Sequence, residues 1–276
     1  MHDVDANGTS IPAIGMGTWT LEGDQARNLV AKALEVGYRH IDTAAMYKNE
    51  NAVGAGLKDS GLARGDFFLT TKVWPSDAAP DDFIASVEAS LDRLGTDHVD
   101  LILIHWPSKT VPFAETVAAL NEVRARGWAR AIGISNFTID QIEEVVALSE
   151  TPLACNQIEY HPLLNQTRVI ETCRKHGLAV TSYCPLARGG DLFSNPAITG
   201  PAARTGATPA QVVLRWHVQQ DGVIAIPRTS NPDRLAENLD IDGFHLTGEE
   251  MAAIGALRGA GHRICDFEFS PVWDAA

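Results

Sequence analysis

Three ionisable residues stand where short apolar runs of the chain stop. Asp42 follows His40-Ile41, Lys72 follows Phe67-Phe68-Leu69-Thr70-Thr71, and His105 follows Leu101-Ile102-Leu103-Ile104. A carboxylate, an ammonium and an imidazole on one surface are equipped to move protons and to stabilise developing charge. Each also has a structural reading when taken alone. Asp42 can cap a helix, Lys72 can lie solvated at a strand end, and His105 can be a hydrogen-bonded core histidine. The elements of the chain decide between these readings, because they determine whether the three residues meet.

Asn7-Gly8 is a two-residue hairpin signal joining two short strands ahead of Pro12. Beyond it, apolar β-branched runs alternate with stretches of helical period. The runs cover residues 13–18, 39–43, 67–73, 99–106, 130–135, 154–159, 179–183 and 223–227, eight in all. The helical stretches cover 25–36, 50–60, 81–94, 112–126, 139–148, 167–176 and 209–219, with two more at 233–239 and 248–257 after the last run. Thr208 before Pro209, and Thr138 before Asp140, are helix-start signals. Runs apolar on both faces and separated by helices imply parallel strands covered by helices. Eight of them predict an α/β fold, a closed (β/α)8 TIM barrel with an N-terminal β-hairpin and a short C-terminal tail, as one domain over residues 1–276. An open dinucleotide-binding sheet is disfavoured: Gly15-Met16-Gly17-Thr18-Trp19-Thr20 lacks the third glycine of G-x-G-x-x-G and opens no helix.

In such a barrel the C-terminal strand ends share one rim. The runs end on Asp42-Thr43, Lys72, His105-Trp106 and Ser135-Asn136; Gln157 lies in the sixth, the seventh reaches Tyr183, and Arg228-Thr229 follow the eighth. Polar groups therefore converge on one face. The histidines show no H-x-H or H-E-x-x-H spacing, so no metal site is expected. The net charge of −13 disfavours nucleic acid as a partner. There is no apolar stretch of about 18 residues to span a membrane. The start Met1-His2-Asp3-Val4-Asp5 argues against secretion, and Cys155, Cys173, Cys184 and Cys265 lack C-x-x-C spacing. A cytoplasmic monomer is expected.

Gly37-Tyr38-Arg39-His40-Ile41-Asp42-Thr43-Ala44, with Glu50 and Val53-Gly54, resembles the first signature of the aldo-keto reductases. Leu120 and Arg130-Ala131-Ile132-Gly133-Ile134-Ser135-Asn136-Phe137 resemble the second; Ile226-Pro227-Arg228-Thr229, Arg234 and Glu237-Asn238 resemble the third. The resemblance implies NADPH-dependent reduction of aldehydes and ketones. It assigns Asp42, Tyr47, Lys72 and His105 to the catalytic tetrad. Ser135, Asn136 and Gln157 take the nicotinamide carboxamide, Tyr183 the nicotinamide ring, and Leu186 the loop past the pyrophosphate. Arg228, Thr229 and Arg234 take the 2′-phosphate, with Glu237 and Asn238 near the adenine. Short loops, Ile158-Glu159-Tyr160-His161-Pro162 and the closing Pro-x-Trp-Asp make the chain most similar to microbial 2,5-diketo-D-gluconate and methylglyoxal reductases. It departs from the family at Cys184 and Ala187, where serine and glycine are common, and at Arg228 and Thr229, where lysine and serine are.

Carbonyl reduction needs a hydride on carbon and a proton on oxygen. Tyrosine is a weak acid, with an ordinary pKa of about 10. Lys72 beside Tyr47 is expected to lower it, Asp42 to balance the buried lysine, and His105 to donate a hydrogen bond to the carbonyl oxygen. A guanidinium suits a phosphate, so Arg228 and Arg234 favour NADPH over NADH. Trp19, Trp74 and Trp106 stand at strand ends, where they would line the apolar side of a pocket for a small carbonyl compound, in a site expected to be open. Two other functions are weighed: a redox-sensing module that holds NADPH with little turnover, and a hydrolase using Asp42 and His105 on a metal.

Overall fold

Asn7 and Gly8 both take left-handed backbone, with φ of 51° and 81°. They turn β1 (Asp3–Ala6) into antiparallel β2 (Thr9–Pro12), as the Asn-Gly pair predicts. The structure is a computed structural model and describes residues 2–260 and 263–275. Asn7 Nδ2 then donates to the carbonyls of Leu153 and His176, 2.8 and 3.0 Å away. These carbonyls lie just before two sheet strands begin, so the hairpin sits at the N-terminal end of the barrel, away from the rim that carries the polar residues. Gly177 (φ 72°) is required at this contact, since a Cβ there would come within 2.2 Å of Asn7 Oδ1.

Eight parallel strands follow: β3 (Met16–Gly17), β4 (His40–Asp42), β5 (Phe68–Val73), β6 (Val99–Ile104), β7 (Ala129–Ser135), β8 (Cys155–Glu159), β9 (Ala179–Tyr183) and β10 (Val223–Ala225). Each pairs with its neighbour in chain order. A parallel bridge between Ile14 and Ala225, with Gly15 N and Gly17 N donating to the carbonyls of Ala225 and Pro227, brings the last strand back to the first and closes the (β/α)8 barrel. β5 and β6 are buried at every residue, as their unbroken apolar runs imply.

The helices between strands are α1 (Gly23–Val36), α2 (Glu50–Asp59), α3 (Pro80–Leu94), α4 (Phe113–Ala125), α5 (Ile139–Leu148), α6 (Thr167–Lys175), α7 (Asp191–Ser194), α8 (Pro196–Thr205) and α9 (Pro209–Val218). α10 (Asp233–Leu239) and α11 (Gly248–Gly255) come after the last strand. α7 and α8 were not expected. Gly200 and Pro201 interrupt the apolar period of α8, yet Asn195 caps it by accepting from Ala197 N at 2.9 Å, with Pro196 at the first helical position. The last expected helix is also shorter, passing into a 3-10 turn over Ala256–Ala260. Among the described residues no helix is long and apolar enough to cross a membrane.

Candidate active site

The barrel register brings distant residues to one rim. Asp42 ends β4, Lys72 lies one residue before the end of β5, and His105 directly follows β6. Tyr47 arrives on the 3-10 turn Ala45–Tyr47 just after β4. Asn49 anchors that turn: its side chain donates to the carbonyls of Thr18 and Leu21 and accepts from Thr43 Oγ1, all within 3.0 Å. Sequence reasoning passed over Asn49, a buried polar residue whose only signal is its place between Tyr47 and Glu50.

Lys72 is wholly buried, and its Nζ donates to Asp42 Oδ1 at 2.6 Å and to the Thr43 carbonyl at 2.7 Å. The Tyr47 hydroxyl lies 3.3 Å from the same nitrogen. Burial works to lower the Lys72 ammonium, but Asp42 and Tyr47 together raise it above its ordinary value, so it stays charged. For Tyr47 the expected direction is reversed. Burial dominates and pushes the phenol above 10.0; the pull of Lys72 opposes this, and the Asp42 charge adds to it. Lys72 therefore moderates a proton that burial holds on the phenol. His105, beside Tyr47 with ring centroids 5.7 Å apart, is pushed well below its ordinary value by burial and then by Lys72, which leaves a neutral imidazole.

Ser135 and Gln157 are paired across β7 and β8. Ser135 Oγ donates to the Gln157 carbonyl at 2.8 Å and accepts from Asn136 Nδ2 at 3.0 Å. Asn136, held in left-handed backbone (φ 65°), also donates to the His105 carbonyl and accepts from the Tyr183 hydroxyl at 2.7 Å. Gln157 Nε2 reaches Asp42 Oδ2 at 2.7 Å. The groups expected around a carboxamide thus form one network that joins the acid–base cluster through Asp42.

A model of the aldo/keto reductase family matches residues 13–258. The chain belongs to this family. It is 41% identical over 252 residues to the glyoxal reductase of Bacillus subtilis, covering 91% of this chain and 90% of that one. A crystal structure named provisionally as a 2,5-diketo-D-gluconic acid reductase B superposes with a TM-score of 0.96 at 49% identity, over 100% of this chain and 98% of the other. The Bombyx mori aldo-keto reductase, solved in complex with NADP, superposes at 0.89 with 34% identity, over 96% and 94%. The protein is an aldo-keto reductase, an oxidoreductase that acts on carbonyl groups with a nicotinamide cofactor.

The residues of this aldo-keto reductase fit that cofactor by their chemistry. A carboxamide both donates and accepts, as do Ser135, Asn136 and Gln157 in their buried cluster, and Tyr183 is half-buried beside them. Leu186 lies in a stretch rich in left-handed backbone, with φ positive at Cys184, Ala187, Arg188, Gly189 and Gly190. Arg228 and Arg234 are exposed cations after β10. Arg228 is already engaged, donating to the Trp19 carbonyl at 3.1 Å and to Thr20 Oγ1 at 2.7 Å. Thr229 is buried, and its hydroxyl closes a turn with Asn231. Glu237 accepts from Thr208 Oγ1 at 2.8 Å, tying α10 to the start of α9, and Asn238 is buried on the same helix.

The tryptophans separate. Trp19 is half exposed and meets the Tyr47 ring edge-on at 4.9 Å; Trp74 meets His105 at 5.0 Å. Trp106 is instead buried beneath the C-terminal tail, against Phe267, Phe269 and Trp273. Phe269 also packs on Trp74 at 5.2 Å. The tail is short yet lies over this side of the rim, so the site is less open than its length suggested. Phe267 and Phe269 were not singled out from sequence, because nothing in residues 263–275 states where they fold back.

Proposed function

We propose that the protein reduces small aldehydes and ketones, including dicarbonyls and keto sugar acids of the 2,5-diketo-D-gluconate kind, to alcohols with NADPH, Tyr47 being the general acid. The observation that carries this reading is the Tyr47 hydroxyl 3.3 Å from a buried, charged Lys72 that is itself fixed on Asp42. When bound, the reduced nicotinamide supplies the hydride to the carbonyl carbon. Tyr47 gives its proton to the carbonyl oxygen as negative charge grows there, and the fixed ammonium of Lys72 stabilises the phenolate left behind. Neutral His105 donates a second hydrogen bond to that oxygen and orients the substrate. Trp19 and Trp74 bound its apolar side, with Trp106 supporting the tail behind them.

Ser135, Asn136 and Gln157 would hold the carboxamide, Tyr183 would stack on the ring, and Leu186 would border the pyrophosphate. Arg228, Thr229 and Arg234 would hold the 2′-phosphate, with Glu237 and Asn238 near the adenine. The glyoxal and diketogluconate reductase relatives support the substrate class, and the NADP complex of the Bombyx mori enzyme supports the cofactor. On this reading the 276 residues act as one barrel domain. The test is a panel of methylglyoxal, keto sugar acids, keto esters and aryl aldehydes, followed by NADPH consumption with NADH as comparison. NADPH-dependent turnover is expected with wild type and loss of it with Tyr47→Phe. Retained turnover in that variant refutes the assignment of the acid.

A further inference from the structure

Ile158-Glu159-Tyr160-His161-Pro162 has no part in the carbonyl chemistry, yet it holds a carboxylate with no exposed surface. Glu159 ends β8, opposite Tyr183 in the β9 ladder. A buried carboxylate is costly unless charge-assisted hydrogen bonds occupy its oxygens. Here Oε1 accepts from His161 Nε2 at 2.9 Å and from Ile264 N at 2.7 Å, and Oε2 accepts from Cys265 N at 2.6 Å. Two of these three donors are consecutive backbone amides of the C-terminal tail. Beside them Cys265 of the tail neighbours Cys184, in the turn after β9.

From Cys265 the tail runs straight to the aromatic wall. Phe267 and Phe269 stack on each other at 5.1 Å, their spacing set by reciprocal bonds between Phe267 and Ser270. Phe269 touches Trp74, which touches His105. The far end is held where Asp274 accepts from Ile139 N, at the start of α5. Between these anchors, among the described residues, Lys109 Nζ donates to the Glu268 carbonyl at 2.8 Å, at the exposed surface.

We infer that Glu159, oriented by His161, is a positioning residue that fastens the C-terminal tail over the carbonyl pocket and thereby sets which apolar substituents the pocket accepts. The inference rests on the carbonyl-reduction reading for its substrate consequence, but not for the fastening itself. A small dicarbonyl has little apolar surface to lay against Phe269 and should be indifferent to the tail. An aryl aldehyde should depend on it.

The test uses the full chain and two variants. Glu159→Gln leaves one acceptor oxygen and turns an amide toward the tail's N–H groups. Ile264→Pro removes one tail donor and leaves every barrel residue unchanged, so it reads the contact even where Glu159→Gln fails to fold. Hydrogen exchange of residues 263–273 should quicken at least tenfold in either variant. KM for benzaldehyde should rise about tenfold, while KM for methylglyoxal, kcat and NADPH affinity stay within twofold. Tail exchange and benzaldehyde KM both at wild-type values in Ile264→Pro would overturn the inference, as would an equal loss of kcat on both substrates. A wild-type chain that reduces neither aldehyde would refute the functional reading instead, and the exchange data would still decide the fastening.

Discussion

Gln157 Nε2 donates to Asp42 Oδ2 at 2.7 Å, while Lys72 Nζ holds Oδ1 at 2.6 Å. A buried carboxylate is thereby satisfied on both oxygens, one from β8 and one from β5, and can neither turn nor release the ammonium. Replacing Gln157 with Leu leaves Oδ2 without its donor. The expected cost is about 1–3 kcal/mol of stability, measured by urea unfolding. Turnover should fall with it, since Asp42 would no longer hold Lys72 at a fixed distance from Tyr47.

Lys72→Met should be harsher. It leaves Asp42 as an uncompensated buried charge, for which a loss of about 3–5 kcal/mol is expected. The double variant Asp42→Leu/Lys72→Met should recover much of that stability without recovering turnover. Unfolding and NADPH consumption measured on the same samples separate the two roles.

Turnover should be insensitive to pH through the neutral range. With Tyr47 as the proposed acid, reduction proceeds only while its phenol carries the proton, and burial raises that phenol above 10.0. The active fraction therefore declines as pH rises through that raised value, and not before. A fall in reduction rate setting in near neutral pH, in a kcat/KM profile corrected for stability, would contradict Tyr47 as the donor.

Arg228 and Arg234 should differ in a way the sequence does not suggest. Losing either should raise KM for NADPH about 10–100-fold with little effect on NADH, the scale of a charge-assisted phosphate contact. Arg228→Ala also frees Trp19 and Thr20, whose backbone and hydroxyl it holds. It alone should raise KM for the carbonyl substrate as well. Steady-state kinetics in both substrates read the difference.

His217, on α9, is fully buried, with Nε2 donating to the Pro185 carbonyl just after β9 at 3.0 Å, and burial lowers it from 6.5 to about 3. The unfolded chain takes up that proton from 6.5 downward while the folded chain resists it. Stability should therefore fall as pH drops from 6.5 toward 3, with a slope of about 1.4 kcal/mol per pH unit from this group. His217→Gln should remove about 2 kcal/mol of the stability difference between pH 5 and pH 7, read by urea unfolding at the two values.

The sequence by itself determined the barrel and the residue types on its rim. Eight buried-strand runs leave little choice of fold, because strands apolar on both faces must be covered on both. The ends of those runs point to Asp42, Lys72 and His105, and the family resemblance adds Tyr47 beside them. Tertiary structure decided what is non-local. The direction of the Tyr47 shift depends on how much water the loops exclude, and the pairing of Gln157 with Asp42 spans 115 residues. Trp106 lies buried because a tail more than 160 residues later folds onto it. Periodicity reports which face of an element is buried; it carries no record of which distant side chain covers that face.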